Sequence, residues 1–320
     1  MAQTTHTHEQ LMERFVKWAE AQPDVGTAFV IGSQARTTRP ADQWSDLDLV
    51  VTVDQPDRYL LETDWLQNIG NPWVTFTEAR GDEKERRVLF EGGLDVDFAL
   101  LSRKKMRSLA RLRKIRDRFP ALFRLLPRTV AQQVLQGIAI FSDIARRGTR
   151  VLFDKDGMVE HLLRVTPVPP SHPPAEDEFL NLIHDFWYHA VWTAKKLRRG
   201  ELWTAQGCSD SYLRWRLLSM IEWHARATNG WEYDTWHGGR FLEQWADDRV
   251  VKSLHGAFAH YDERDLWRGL AETMDLFRWV AVETAAQLEY PYPASVDEHA
   301  TELVQSMFSE SDRVDRCGPF

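Results

Sequence analysis

Apolar positions along this chain keep two rhythms. Over residues 9–21, Leu11, Met12, Phe15, Val16 and Trp18 recur at helical spacing, and Pro23 stops the run. Val25–Ile31 reads as a strand that breaks at Gly32-Ser33, and a polar segment follows to Ser45. Leu47, Leu49, Val50, Val51 and Val53 mark a second strand, with Asp46 and Asp48 alternating against them. The pattern predicts a helix over 56–68 and a strand over 73–77. It also predicts a hairpin of 87–90 with 94–101, turned at Glu91-Gly92-Gly93. The first hundred residues are thus mixed α/β with a small sheet.

After residue 102 the rhythm changes. Residues 102–147 are rich in Arg and Leu and read as helices; 150–154 reads as a short strand turned by Asp156-Gly157. The run VTPVPPSHPP, 165–174, excludes regular helix and sheet by its prolines. Beyond it the helical period governs 176–199, 209–228, 239–254 and 263–288. The expected class is α+β. An N-terminal domain over 1–160, a small mixed sheet flanked by helices, precedes a linker at 161–174 and an all-helical domain over 175–320.

Composition narrows the function. The 320 residues are 43% hydrophobic and 28% charged, ordinary for a soluble globular chain. A net charge of −8, with a pI near 5.8, argues against a nucleic-acid partner and suits a small cationic substrate. Cys208 and Cys317 are too few for a disulfide framework or a cysteine zinc site. No apolar run approaches the roughly 18 residues of a membrane span. The N-terminus MAQTTHTHEQ lacks the apolar stretch of a secretory signal, so a cytoplasmic protein without a membrane partner is expected. A monomer is the expected state.

The chemistry gathers in FVIGSQARTTRPADQWSDLDLVVTV, residues 29–53. Residues i and i+2 of a strand face one side, so Asp46 and Asp48 project together. Adjacent carboxylates repel unless a cation lies between them, and Mg²⁺ shares such ligands with substrate phosphates. Gly32 lets backbone approach a phosphate, and Ser33 offers a hydroxyl and an N–H. A solvated strand edge would carry the same Asp-x-Asp; the Gly-Ser upstream is what favours a site. In LFEGGLDVDFALL, residues 89–101, Asp95 and Asp97 share one strand face and offer a third carboxylate.

In HDFWYHAVWTAKK, residues 184–196, Asp185, Tyr188, His189, Trp192 and Lys195 or Lys196 share a helical stripe. Lys195 could reach a triphosphate, and Asp185 could hold a cation or act as a base. A half-buried helix with Phe186, Trp187 and Val191 inward explains the pattern equally well. His184 and His189 are spaced poorly for a shared metal, and the arginine-rich stretch 103–118 reads as a solvated helix face. P-loop, dinucleotide and serine-elbow motifs are absent.

The Gly-Ser, polar segment and Asp-x-Asp arrangement resembles the nucleotidyltransferase superfamily of DNA polymerase β type. More narrowly, the chain resembles the aminoglycoside 6-adenylyltransferases over nearly its whole length. The carrying blocks are GSQA with SDLDLVV, LFEGGLDVDFALL, VLFDKDG, HDFWYHAVWTAKKLRRGELWTA, LLSMIEWHARATNGWEYDTWHGGRFLEQW and ETAAQLEYPYP. The resemblance implies AMP transfer from MgATP to a streptomycin hydroxyl, with release of pyrophosphate. It implies Asp46, Asp48 and Asp97 as ligands of one or two Mg²⁺. Gly32, Ser33, Arg36 and Lys195 would be nucleotide contacts, and Asp97 or Asp185 the base. Asp185, Tyr188 and Trp192 are the candidate acceptor contacts. Gln34 stands where the family commonly has Arg, with Arg36 or Arg39 near enough to replace its charge. Two rival readings are a transferase acting on another small molecule, a protein or an RNA end, and an inactive nucleotide- or drug-binding module. The acidic pI disfavours RNA, and the complete carboxylate set disfavours the module.

Overall fold

A computed structural model of the chain describes residues 7–36, 39–80, 83–166 and 171–316. The chain divides into two compact units, Met1–Val168 and Pro169–Phe320. Within the proline-rich run, 167–170 lie outside the described residues, as do most of the polar N-terminal segment and Cys317.

The first unit is built on six strands: β1 (Val25–Ile31), β2 (Leu47–Val53), β3 (Pro72–Arg80), β4 (Glu83–Phe90), β5 (Leu94–Ser102) and β6 (Arg150–Asp154). They lie in the order β3-β4-β5-β2-β1-β6, and only β2 and β5 run parallel. Helices α1 (His8–Glu20) and α2 (Pro56–Leu61) supply one layer. Alternate strand residues Leu47, Leu49, Val51, Val96 and Phe98 pack there with Phe15 and Trp65. The other face takes α3 (Arg103–Arg118), α5 (Arg128–Arg147) and α6 (Val159–Leu162), while α4 (Pro120–Phe123) packs Phe123 against α3 and α5. There Phe29 and Val50 meet Ala110, Phe141, Met158 and Leu162. Phe98 is fully buried, 5.0 Å edge-on from Trp65, so truncating it to Ala should cost about 3–5 kcal/mol.

The second unit is helical: α7 (Glu176–Arg198), α8 (Leu202–Gly207), a π-turn over 208–213, α9 (Arg214–Asn229), α10 (Leu242–Trp245), α11 (Asp248–Ala257), α12 (Glu263–Leu288) and α13 (Ala294–Arg316). Its core centres on α7 and α12, where the Phe186 and Phe277 rings stack 3.6 Å apart. Arg278 clamps Asp297 with Nε–Oδ2 and Nη2–Oδ1 bonds of 2.7 and 2.8 Å, tying α13 to α12. Among the described residues no helix is long and apolar enough to cross a membrane.

Three elements depart from the sequence reading. The helix expected over 56–68 breaks at Glu62, whose backbone is extended. The Trp65 indole donates to the Tyr59 and Glu62 carbonyls, which a continuing helix would have used. The helix expected over 239–254 is three pieces, because Gly238, Gly239 and Phe241 adopt positive φ and Asp247 caps α11 afresh. Helix α13 lies beyond the predicted helices; its buried apolar stripe is thin, with Ala300 and Val304.

Candidate active site

The face of the sheet that carries Val50 toward α3 and α5 carries Asp48 two residues earlier. Asp46 precedes β2, Asp48 is its second residue, and parallel pairing sets Asp48 beside Asp97 of β5. One oxygen from each of the three carboxylates lies within 4.8 Å of the others. Asp95 is exposed and outside this cluster.

Gly32 follows β1 with φ +71°, a backbone state that side chains disfavour. A Cβ there would lie 2.1 Å from Asp48 Oδ2. Glycine is thus required both by the turn and by the carboxylate against it. Ser33 Oγ lies 3.5 Å from the Asp46 carbonyl oxygen. Gln34 Nε2 lies 3.5 Å from His8 Nδ1. Arg36 donates through Nε to the Arg39 carbonyl at 2.9 Å, within the same loop.

Asp97 is 6% exposed. Burial, opposed by Arg87 and aided by Asp95, Glu85 and Asp46, pushes its carboxyl up to about 6. Arg87 Nη2 lies 2.9 Å from Asp97 Oδ2, while Oδ1 is buried and accepts no hydrogen bond. Two ionised carboxylates this close repel by about 3 kcal/mol at an effective dielectric near 20. Arg87 offsets only part of the charge of three. A hard divalent cation satisfies both the unpartnered oxygen and the repulsion, so the donor set fits Mg²⁺. Arg87 and His8 were not singled out by sequence. The hairpin held the signal for Arg87, since a three-residue turn at 91–93 places it opposite Asp97. His8 is visible only in the fold. Burial pushes its imidazole down, against the pull of Asp95 and Asp46.

The α7 stripe divides. Tyr188, Trp192 and Lys195 line a cavity of about 570 Å³ with His184 and His299, the latter from α13. Lys196 instead lies over the Trp192 ring and pairs with Glu201 at 2.7 Å. Asp185 is saturated. Tyr212 donates to its oxygens at 2.9 and 3.0 Å, Arg216 Nε binds Oδ2, and His189 Nδ1 lies 2.8 Å from Oδ1. Burial raises its carboxyl, but bonds from Arg216 and Tyr212 outweigh that and leave it below its ordinary value. Tyr212 comes from the π-turn, which the helical period did not reveal.

A model of the streptomycin adenylyltransferase family matches residues 5–307. The chain is 20% identical to an aminoglycoside 6-adenylyltransferase of Bacillus subtilis (strain 168), over 94% of this chain and 98% of that protein. It is 20% identical to one from Campylobacter jejuni over 90% and 91% of the two chains. It is 21% identical to one from Staphylococcus aureus over 90% and 94%. A solved aminoglycoside 6-adenyltransferase from Bacillus subtilis aligns over 95% of this chain and 99% of its own, at 17% identity and TM-score 0.42.

Proposed function

This chain belongs to the streptomycin adenylyltransferase family, and from that premise we propose that it transfers AMP from ATP to a hydroxyl of an aminoglycoside, streptomycin at its 6-position. The observation that carries this reading is the Asp46, Asp48 and Asp97 cluster set against the Gly32-Ser33 turn. Asp46, Asp48 and Asp97 would hold magnesium, which when bound would neutralise negative charge on the phosphates.

The chain's own residues do the rest. Gly32 brings backbone close to the phosphates, and Ser33 offers its hydroxyl and N–H. Arg36 supplies positive charge near Gln34. The acceptor oxygen bonds to the α-phosphorus, the bond to the pyrophosphate oxygen breaks, and the hydroxyl proton passes to Asp97. Its buried Oδ1, without a partner, supports that role. Asp185, with both oxygens occupied, is assigned instead to positioning Tyr212 and Arg216. Tyr188 and Trp192 offer aromatic faces to the acceptor. The chain's surplus of acid favours a polycationic acceptor.

The test is pyrophosphate release with Mg²⁺ and ATP, with and without streptomycin, by wild type and Asp48→Asn. Streptomycin-dependent release that falls by about 10²–10³ in the variant is expected. Activity within a few-fold of wild type would remove the metal assignment, and release indifferent to streptomycin would remove the acceptor.

A further inference from the structure

Helix α3 concentrates charge that the active site does not use. Its sixteen residues hold nine Lys or Arg and one Asp, in a chain whose net charge is −8. Arg103 and Arg113 are buried and have structural partners: Arg103 binds Asp156, and Arg113 donates to the Leu162 and Arg164 carbonyls. Arg107, Arg111 and Lys114 recur at i, i+4 and i+7 and line one side of a cavity of about 400 Å³. His161 lines another side, and buried Ala110 and Met158 give an apolar floor.

The acid lining this pocket is masked. The Asp156 side chain is 1% exposed; Arg103 donates to it through Nε and Nη2 at 2.9 and 2.8 Å, and Arg107 also binds it. The pair is built into the sheet: a Cβ on Gly26 would lie 2.4 Å from Asp156 Oδ2 and 2.5 Å from Arg103 Nε. Asp156 thereby orients Arg107 and offers little repulsion to an anion. Lys155 adds charge, although its ammonium donates to the Ala19, Glu20 and Gln22 carbonyls. Among the described residues, the Arg111 and Lys114 side chains have no hydrogen-bond or ion-pair partner. Like charges converging on a concave, part-apolar site favour a multiply charged anion, as the carboxylate cluster favours a cation.

The two sites are separate. Gly26 is the second residue of β1 and Gly32 follows its end, which at roughly 3.3 Å per residue places them about 20 Å apart. We propose that this pocket is a second anion site that binds a compact phosphate-bearing molecule. Phosphate oxygens meet Arg107, Arg111 and Lys114, and any organic body rests on Ala110 and Met158.

Calorimetric titration of the full chain with pyrophosphate, and separately with AMP, both in EDTA, tests this. Saturable, salt-sensitive binding of either is expected, and comparing the two shows whether phosphate alone suffices. It should persist in Asp46→Asn/Asp48→Asn and weaken by about tenfold or more in Arg111→Gln/Lys114→Gln. Circular dichroism and unchanged streptomycin-dependent turnover would establish that the pocket variant is folded. Binding of neither compound to wild type would overturn the proposal. So would unchanged binding in the pocket variant, or its loss in the carboxylate variant.

Discussion

Asp97 and Asp185 are both candidate bases by residue type, and their surroundings separate them. Asp97 lies in a sheet, buried, with one oxygen on Arg87 and the other unpartnered. Asp185 lies on a helix with Tyr212, Arg216 and His189 around it. Burial dominates the first and lifts its carboxyl to about 6. Donors overcome burial at the second and depress it. A carboxylate left short of donors is available to a cation or a proton; on the proposed function, the one surrounded by donors holds its neighbours in place. Residue type and spacing could not make this distinction, because Tyr212 and Arg216 come to Asp185 from positions 27 and 31 residues away.

The largest effect should come from Asp97→Asn, with turnover in the pyrophosphate-release assay falling by about 10³-fold while the fold is kept. A loss as large in Asp185→Asn would erase the contrast. Gly32→Ala should follow, with about a 10²-fold loss, since its Cβ must displace Asp48 Oδ2. The left-handed backbone alone should cost only about 1–2 kcal/mol of stability. Denaturant titration beside kinetics would separate the two effects.

Asp185→Asn should be the mildest in turnover, about tenfold or less, but should lower stability by about 1–2 kcal/mol at neutral pH. The sign of its pH dependence follows from the depressed carboxyl. Its contribution is full above the ordinary value of 3.8 and is lost as pH falls through the lower folded value. The gap between wild type and variant should therefore close in acid, as thermal unfolding from pH 7 to pH 3 would show. A gap that widens in acid would contradict the pairing.

Much of this site was legible in the sequence because strands write their geometry in period two. The alternation at 46–53 and 94–101 paired Asp46 with Asp48 and Asp95 with Asp97, the resemblance singled out Asp97, and the parallel pairing of β2 with β5 sets it beside Asp48. The order β3-β4-β5-β2-β1-β6 was not legible, since pairing between distant strands leaves no local signature. In the helical unit the period located α7 and α12 but not what Asp185 touches, because the π-turn and α13 break or dilute that period. The breaks at Glu62 and Arg240 were hidden for a related reason. Trp65 and Trp245 continue an apolar stripe while their indoles bind carbonyls that a helix would need.

Assignment of the carboxylate cluster as the cation site is tested most directly by Mn²⁺ binding followed by electron paramagnetic resonance, with wild type, Asp97→Asn and Asp185→Asn in parallel. Wild type and Asp185→Asn should bind alike, and Asp97→Asn should bind about tenfold or more weakly. Equal binding by Asp97→Asn and wild type, or equal weakening in both variants, would contradict it.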